Sequence, residues 1–407
     1  MADTGVDVKL EAFRTEVREW LEKNHPESLR KPGAAMAMFD DSAPSGDQQK
    51  WKKALGEKGW TTPTWPKEYG GGGLTAMEAR VLQQEMAKIG AANPIHSWGM
   101  GITMIGPTIL DYGTEAQKKE HIPPIIRGER RWCVGYSEPG AGSDLASVQT
   151  KCEDAGDYWN INGSKIWTSG ANLSDWCGAL VRTDFNVKKH DGISFMLIDM
   201  HQPAVETKPI KLMAGPSPFC ETFFTNARAE KTNMLGEMNK GWTVGKRLLQ
   251  HERASQTGAP AAGPGPRQAP ISDVAKKYVG VDGKGKLSDR DLRIRLAEHM
   301  MGARAHQLTL GRVLAEARSG SVEVSNASST LKNAATGVAQ ARAELTLEIM
   351  GNRGGGWEGA GFTPDELQAT RAFLTGKAMS IYGGSAEIQN NIISKRILGL
   401  PDTTGSA

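Results

Sequence analysis

Apolar positions fall into three successive rhythms along the chain. From Val8 to Asn24, Leu10, Phe13, Val17 and Trp20 recur at three- and four-residue spacing, which predicts an amphipathic helix ending before Pro26. Asp47 to Gly59 reads as a second helix. Thr75 with Glu78 makes a capping box for a helix that stops at Gly90, and Thr114 with Gln117 repeats the pattern ahead of Pro123 and Pro124. The Gly70 to Gly73 run between them reads as loop.

From about Arg131 to Leu235 the rhythm shortens to alternating segments between turn residues. Ser194-Phe195-Met196-Leu197-Ile198 and Glu221-Thr222-Phe223-Phe224 are the clearest strands, which predicts an antiparallel barrel or sandwich. Helical spacing returns at Gly241, with helices expected from Trp242 to about Gln256, Leu287 to Ser319, Ser325 to Met350, Asp365 to Tyr382 and Ser385 to Leu398. Thr363, Pro364 and Glu366 supply an N-cap, a first-turn proline and a capping-box partner, and Gly399 with Pro401 stops the last helix. The four prolines from Ala259 to Pro270 mark a loop. Helices of this length pack most simply as an antiparallel bundle. The expected class is therefore α+β multidomain: an N-terminal helical domain (1–130), a middle antiparallel β-barrel or sandwich (131–236) and a C-terminal bundle resembling four-helix bundles (237–407).

Composition narrows the function classes. At 407 residues, 39% hydrophobic and 23% charged, the sequence is ordinary for a multidomain enzyme. A net charge of +3 argues against nucleic acid as a partner, and no apolar stretch is long enough to span a bilayer. Cys133, Cys152, Cys177 and Cys220 form no close pair and no metal-ligand spacing, and the eight histidines are scattered, so no metal is expected. The first residues lack the layout of a signal peptide, and reduced, mostly buried thiols in a cytoplasmic protein are expected.

Candidate chemistry concentrates in two segments. The run Tyr136-Ser137-Glu138-Pro139-Gly140-Ala141-Gly142-Ser143-Asp144 follows the apolar strand Trp132-Cys133-Val134. Pro139 keeps Glu138 extended, while Gly140 and Gly142 allow positive φ and close approach of a ligand to backbone N–H groups. Downstream, Tyr158 to Ile161 and Lys165 to Thr168 flank Asn162-Gly163, which predicts a tight hairpin turn. The second strand delivers Trp167, Thr168 and Ser169 to its end. Trp167 is either a core residue or an indole face for a flat heteroaromatic ring.

These two segments, at this separation, resemble the flavin-binding middle domain of the acyl-CoA dehydrogenase family, and the likeness runs from about residue 8 to residue 401. The resemblance implies FAD as cofactor, an acyl-CoA substrate, a homotetramer or heterotetramer and an electron-transferring flavoprotein as acceptor. The implied reaction is α,β-dehydrogenation: a carboxylate takes the α-proton while the β-hydride passes to flavin N5. Matched residue by residue, Tyr136 and Ser137 fall where the flavin ring is contacted, and Ser143 falls near the phosphates or the CoA. Trp167 and Ser169 match positions that cover and hydrogen-bond the ring, and Ser385 and Glu387 match positions near the FAD phosphates and ribityl chain.

Many family members carry the base in a Tyr-Glu-Gly run before the final helix, but here the run is Ile381-Tyr382-Gly383-Gly384-Ser385, and Gly383 has no side chain to take a proton. A second pattern, seen in isovaleryl- and long-chain-type enzymes, places Glu before Arg on a bundle helix, and Glu252-Arg253 matches it. The resemblance thus implies Glu252 as base, with Arg253 and Gly383 beside the substrate; the competing reading is a solvated helix pair. His251 reads as a helix-face residue.

Two departures stand out. The family's Arg-x-x-Phe-Gly run becomes Lys276-Lys277-Tyr278-Val279-Gly280, and its Gly-rich element becomes Gly351-Asn352-Arg353-Gly354-Gly355-Gly356 followed by Trp357. They suit FAD sites formed between unlike chains. Beside the dehydrogenase reading stand two others, a flavin-poor assembly subunit and a flavoprotein oxidase or monooxygenase on the same fold.

Overall fold

The computed structural model describes residues 4–30, 44–95, 99–215, 217–258, 269–318 and 324–401, and the expected Pro-rich loop falls almost wholly outside them. The chain forms two compact units, one of residues 1–210 and 218–266 and one of residues 211–217 and 267–407.

The first unit begins with α1 (Thr4–Asn24), α2 (Gly46–Glu57), α3 (Ala76–Lys88), α4 (Gly106–Tyr112) and α5 (Glu115–Ile126). Both expected capping boxes form, Thr75 with Glu78 and Thr114 with Gln117. Helix α5 runs through Pro123 and Pro124, against the sequence expectation. Both prolines lie in its last turns, where their carbonyls still accept from the amides of Arg127 and Glu129. Buried Glu85 of α3 receives Arg14, Arg18 and Lys88, which locks α1 onto α3.

Seven strands follow: β1 (Trp132–Gly135), β2 (Lys151–Asp154), β3 (Tyr158–Ser169), β4 (Trp176–Arg182), β5 (Ile193–Asp199), β6 (Val205–Pro209) and β7 (Phe219–Glu230). They form one curled sheet in the order β1-β4-β2-β3-β7-β6, with β5 pairing β4. Its pairings are predominantly antiparallel, but β1 and β2 run parallel to β4. Side chains alternate between two cores: Leu180, Phe195 and Leu197 enter one, Ala179, Val181, Met196 and Ile198 the other. The sheet is thus buried on both faces, which explains the near-continuous apolar run of β5. All four cysteines are buried free thiols.

The hairpin expected at Asn162-Gly163 is absent. Strand β3 continues through both residues, and the long partner β7 pairs with it on either side of a register shift. A Cβ on Gly163 would lie 2.7 Å from the Thr150 Cα, so this glycine provides a seat for a neighbouring backbone within a strand. The Asn162 carboxamide, meanwhile, accepts from the Asn226 amide of β7 at 2.8 Å.

Helix α6 (Gly241–Gly258) completes the first unit, with Val244 and Leu248 in the same core as Leu180 and Phe195. The second unit contains α7 (Ile271–Val279), α8 (Arg290–Arg318), α9 (Val324–Met350), α10 (Pro364–Gly376) and α11 (Ala386–Ile392) around a core from α7, α8 and α9. The Thr363 capping box of α10 forms as expected. No helix among the described residues is long and apolar enough to cross a membrane.

Candidate active site

The loop after β1 is closed by its own backbone. Glu138 and Ala141 exchange two amide–carbonyl bonds at 3.0 Å, which turns Pro139 and Gly140 outward. Gly140 and Gly142 both avoid positive φ, so the conformational freedom anticipated for them is unused. Their contribution is bare backbone, since nothing lies within 4 Å of a Cβ at either position. Ser143 is exposed beside them, Ser137 half-buried, and Asp144 accepts from Lys189 at 2.7 Å and Ser147 at 2.5 Å.

Beneath the loop is a buried ion pair that the sequence reading missed. The fully buried Lys165 ammonium of β3 donates to Glu138 Oε1 at 2.7 Å, the Leu180 carbonyl at 2.7 Å and the Tyr136 carbonyl at 3.3 Å. Glu138 in turn accepts the amides of Gln149 (2.5 Å) and Thr150 (2.9 Å). Burial opposes its charged form, but the Lys165 charge prevails and holds the carboxyl below its ordinary range. Arg182 of β4 donates to the carbonyls of Ala146 and Val148, fixing the far side of the loop.

Trp167 stands at a break in the β3–β7 register with φ of 61°, a conformation unfavourable for a bulky residue. It is 49% exposed and touches Phe219 edge-on at 5.9 Å, so it is not a core residue. The neighbouring Thr168 hydroxyl is buried without a hydrogen-bond partner, and Ser169 is half-buried at the strand end. The Ile166 amide donates to the Ser137 carbonyl at 2.9 Å, which joins this strand end to the loop.

Helix α6 packs on β5 at one glycine and reaches Tyr136 at another. A Cβ on Gly241 would lie 2.2 Å from the Ser194 carbonyl carbon, and one on Gly245 would lie 3.3 Å from the Tyr136 hydroxyl. Tyr136 donates to the Gly245 carbonyl at 3.1 Å, so its buried side chain is turned toward α6 and its backbone borders the loop. Arg247 and His251, on one face of α6, both bind Asp111 of α4 at 2.6 and 2.9 Å. This engagement gives His251 the helix-face role expected of it. Half-buried Glu252 follows, and its charge, after burial itself, helps push the Tyr136 phenol well above its ordinary range. The Arg253 side chain lies outside the described residues.

In the second unit, Gly383 and Gly384 take φ of 65° and 84°, a conformation suited to glycine. Ser385 caps α11 by accepting the Ile388 amide, and Glu387 is held below its ordinary range by its own amide and by Ser385. Sequence reasoning missed a further cluster here. Buried Glu366 receives Arg353 (2.9 Å), the Tyr278 hydroxyl (2.8 Å) and the Thr363 amide (2.8 Å), tying together both runs that depart from the family pattern. Among the described residues no cluster of His, Cys, Asp or Glu is arranged to hold a metal.

The exposed indole, bare glycine backbone and small hydroxyls suit a flat, hydrogen-bonding ring system with a phosphate tail. The chain matches the N-terminal domain of acyl-CoA dehydrogenases over residues 8–129, the middle domain over 133–227 and the C-terminal domain over 239–398. The chain belongs to the acyl-CoA dehydrogenase family. It is 33% identical over 410 residues to acyl-CoA dehydrogenase IpdE1 of Mycolicibacterium smegmatis, covering 97% of this chain and 98% of that protein. The ChsE4–ChsE5 complex from Mycobacterium tuberculosis matches with a TM-score of 0.72 and 28% identity, covering 97% of this chain and 98% of the matched one. The Tcur3481–Tcur3483 steroid ACAD gives 0.72 and 27% identity, with the same coverage. As an acyl-CoA dehydrogenase the chain is an oxidoreductase with FAD as its cofactor.

Proposed function

We propose that the chain dehydrogenates the α,β bond of a bulky, steroid-derived acyl-CoA, with Glu252 as the base. Bound FAD supplies the hydride acceptor. Glu252 takes the α-proton on its carboxylate, and the β-hydride leaves in the same oxidation, so the acyl chain becomes the trans-2-enoyl thioester. Ser137, Trp167 and Ser169 hold the flavin ring, with Tyr136 bordering it through its backbone. Ser143 faces the phosphate or CoA end, and Ser385 and Glu387 serve the FAD phosphates and ribityl chain. By the family match alone, Arg253 and Gly383 are proposed as substrate-side positions.

One observation carries the assignment of the base: the Tyr136 hydroxyl donates to the Gly245 carbonyl at 3.1 Å, which docks α6, the helix bearing Glu252, on the loop that carries Ser137. Asp111 supports it by fixing α6 through Arg247 and His251, one turn apart and just ahead of Glu252. The substrate class rests on the solved relative described as a steroid ACAD. An assembly with an unlike chain is favoured by the Arg353–Glu366 pair, which engages the cation of the Gly-rich run inside its own bundle. An electron-transferring flavoprotein is the proposed acceptor.

The test is Glu252→Gln, purified with its flavin and mixed anaerobically with steroid-derived acyl-CoA. The reading requires wild-type flavin content and loss of flavin bleaching; bleaching at the wild-type rate rules Glu252 out.

A further inference from the structure

Lys165 sits where a strand residue of a sheet buried on both faces would ordinarily be apolar, and it is fully buried. All three of its protons are placed, on Glu138 and on the carbonyls of Tyr136 and Leu180. Glu138 is equally occupied, closing the loop between its own position and Gln149–Thr150. Each flavin-side segment therefore has an anchor on this pair. Tyr136, immediately before Ser137, is held by the ammonium. Two residues after Lys165 the strand delivers Trp167, and the amide between them, on Ile166, binds the Ser137 carbonyl. A satisfied buried pair of this kind fixes one arrangement.

We propose that Lys165 and Glu138 form a positioning pair for flavin binding, fixing Ser137 and Trp167 relative to each other. Neither residue touches the ligand. Lys165 has no exposed surface, and the Glu138 carboxylate is spent on Lys165 and on two backbone amides. Strain at Trp167 gives the pair a task, because a φ of 61° persists only where the surroundings enforce it. The inference rests on these segments being the flavin contacts and is independent of Glu252 as base.

The experiment uses the full chain with the double substitution Lys165→Met and Glu138→Gln, which removes both charges at nearly unchanged shape and leaves no unpaired buried ion. Thermal unfolding, hydrogen exchange without flavin and FAD titration are compared with wild type. The expected result is a lowered unfolding temperature, since the Tyr136 and Leu180 carbonyls and one of the two loop amides lose their partners, with a folded chain whose faster exchange is confined to 136–150 and 165–170. The FAD dissociation constant should rise about tenfold or more, ~1.4 kcal/mol. Wild-type exchange in those segments overturns the proposal, and so does faster exchange with unchanged FAD affinity. Trp167→Ala separates the two failures. If it weakens FAD while the double variant does not, the positioning role falls; if neither weakens FAD, the assignment of flavin contacts falls with it.

Discussion

The Tyr136 hydroxyl donates to the Gly245 carbonyl across a 3.1 Å bond, tying the loop after β1 to the helix that carries Glu252. The bond is possible because Gly245 has no Cβ to hold the two elements apart. Tyr136→Phe keeps the ring and removes the bond. Unfolding experiments should show a loss of about 1 kcal/mol. Anaerobic mixing with acyl-CoA should show flavin reduction slowed by roughly tenfold or more, since Glu252 is then less firmly placed. Unchanged stability and rate would mean that the bond contributes nothing.

Trp167 combines strain and exposure, so stability and cofactor binding should respond to its removal in opposite directions. Trp167→Gly relieves the positive φ, and the flavin-free chain should gain about 1 kcal/mol. The same variant should bind FAD more weakly, read by fluorescence titration. A flavin-free chain that loses stability would show that the indole's contact with Phe219 matters more than its backbone.

Two glycines near the site should tolerate alanine very differently. At Gly241 a methyl group meets the backbone of Ser194 and Phe195, at 2.2 and 2.5 Å, and backbone cannot swing aside. Gly241→Ala should cost about 1–3 kcal/mol. Gly140→Ala meets open space and should change stability by less than about 0.5 kcal/mol, measured by urea unfolding of both variants.

Acid should weaken the first unit in two stages. His121 is enclosed between Trp132 and Trp176, and burial, with Arg130 beside it, lowers its pKa to about 4 from an ordinary 6.5. The unfolded chain binds a proton there that the folded chain refuses, so stability falls as pH drops from 6.5 toward 4, by about 3 kcal/mol at ~1.4 kcal/mol per pH unit. Glu85 acts lower. Burial raises its pKa, but Arg18, Lys88 and Arg14 outweigh burial and hold it at about 2, so its contribution disappears as pH falls from 4.5 through 2. Urea midpoints of wild type and His121→Gln between pH 7 and 4 test the first stage, and the variant should show a clearly shallower slope, with the remainder from His25, which burial and Arg30 also lower.

Helices and their starts were legible because their signals are local. The capping pairs at Thr75, Thr114 and Thr363 lie three residues from their partners, and each forms. Asn162-Gly163 misled because the same dipeptide that makes a hairpin also provides a bare surface within a strand. What distinguishes the two cases is Thr150, distant in sequence and packed on Gly163. Lys165 and Glu138 were illegible for a related reason. A lysine between Ser164 and Ile166 reads as solvent-facing, and its partner is 27 residues away. Tyr278, Arg353 and Glu366 likewise meet only in three dimensions.

Helix α6 follows the sheet in sequence yet shares its core, with Val244 and Leu248 packed among Leu180, Phe195 and Tyr136. A chain emerging from the ribosome therefore cannot close this core when β7 appears. The apolar side of β4 and β5 must wait for α6, and a fragment ending between them should be sticky. The delay has a consequence for the site: the Tyr136 hydroxyl finds its acceptor only when the helix that carries Glu252 arrives.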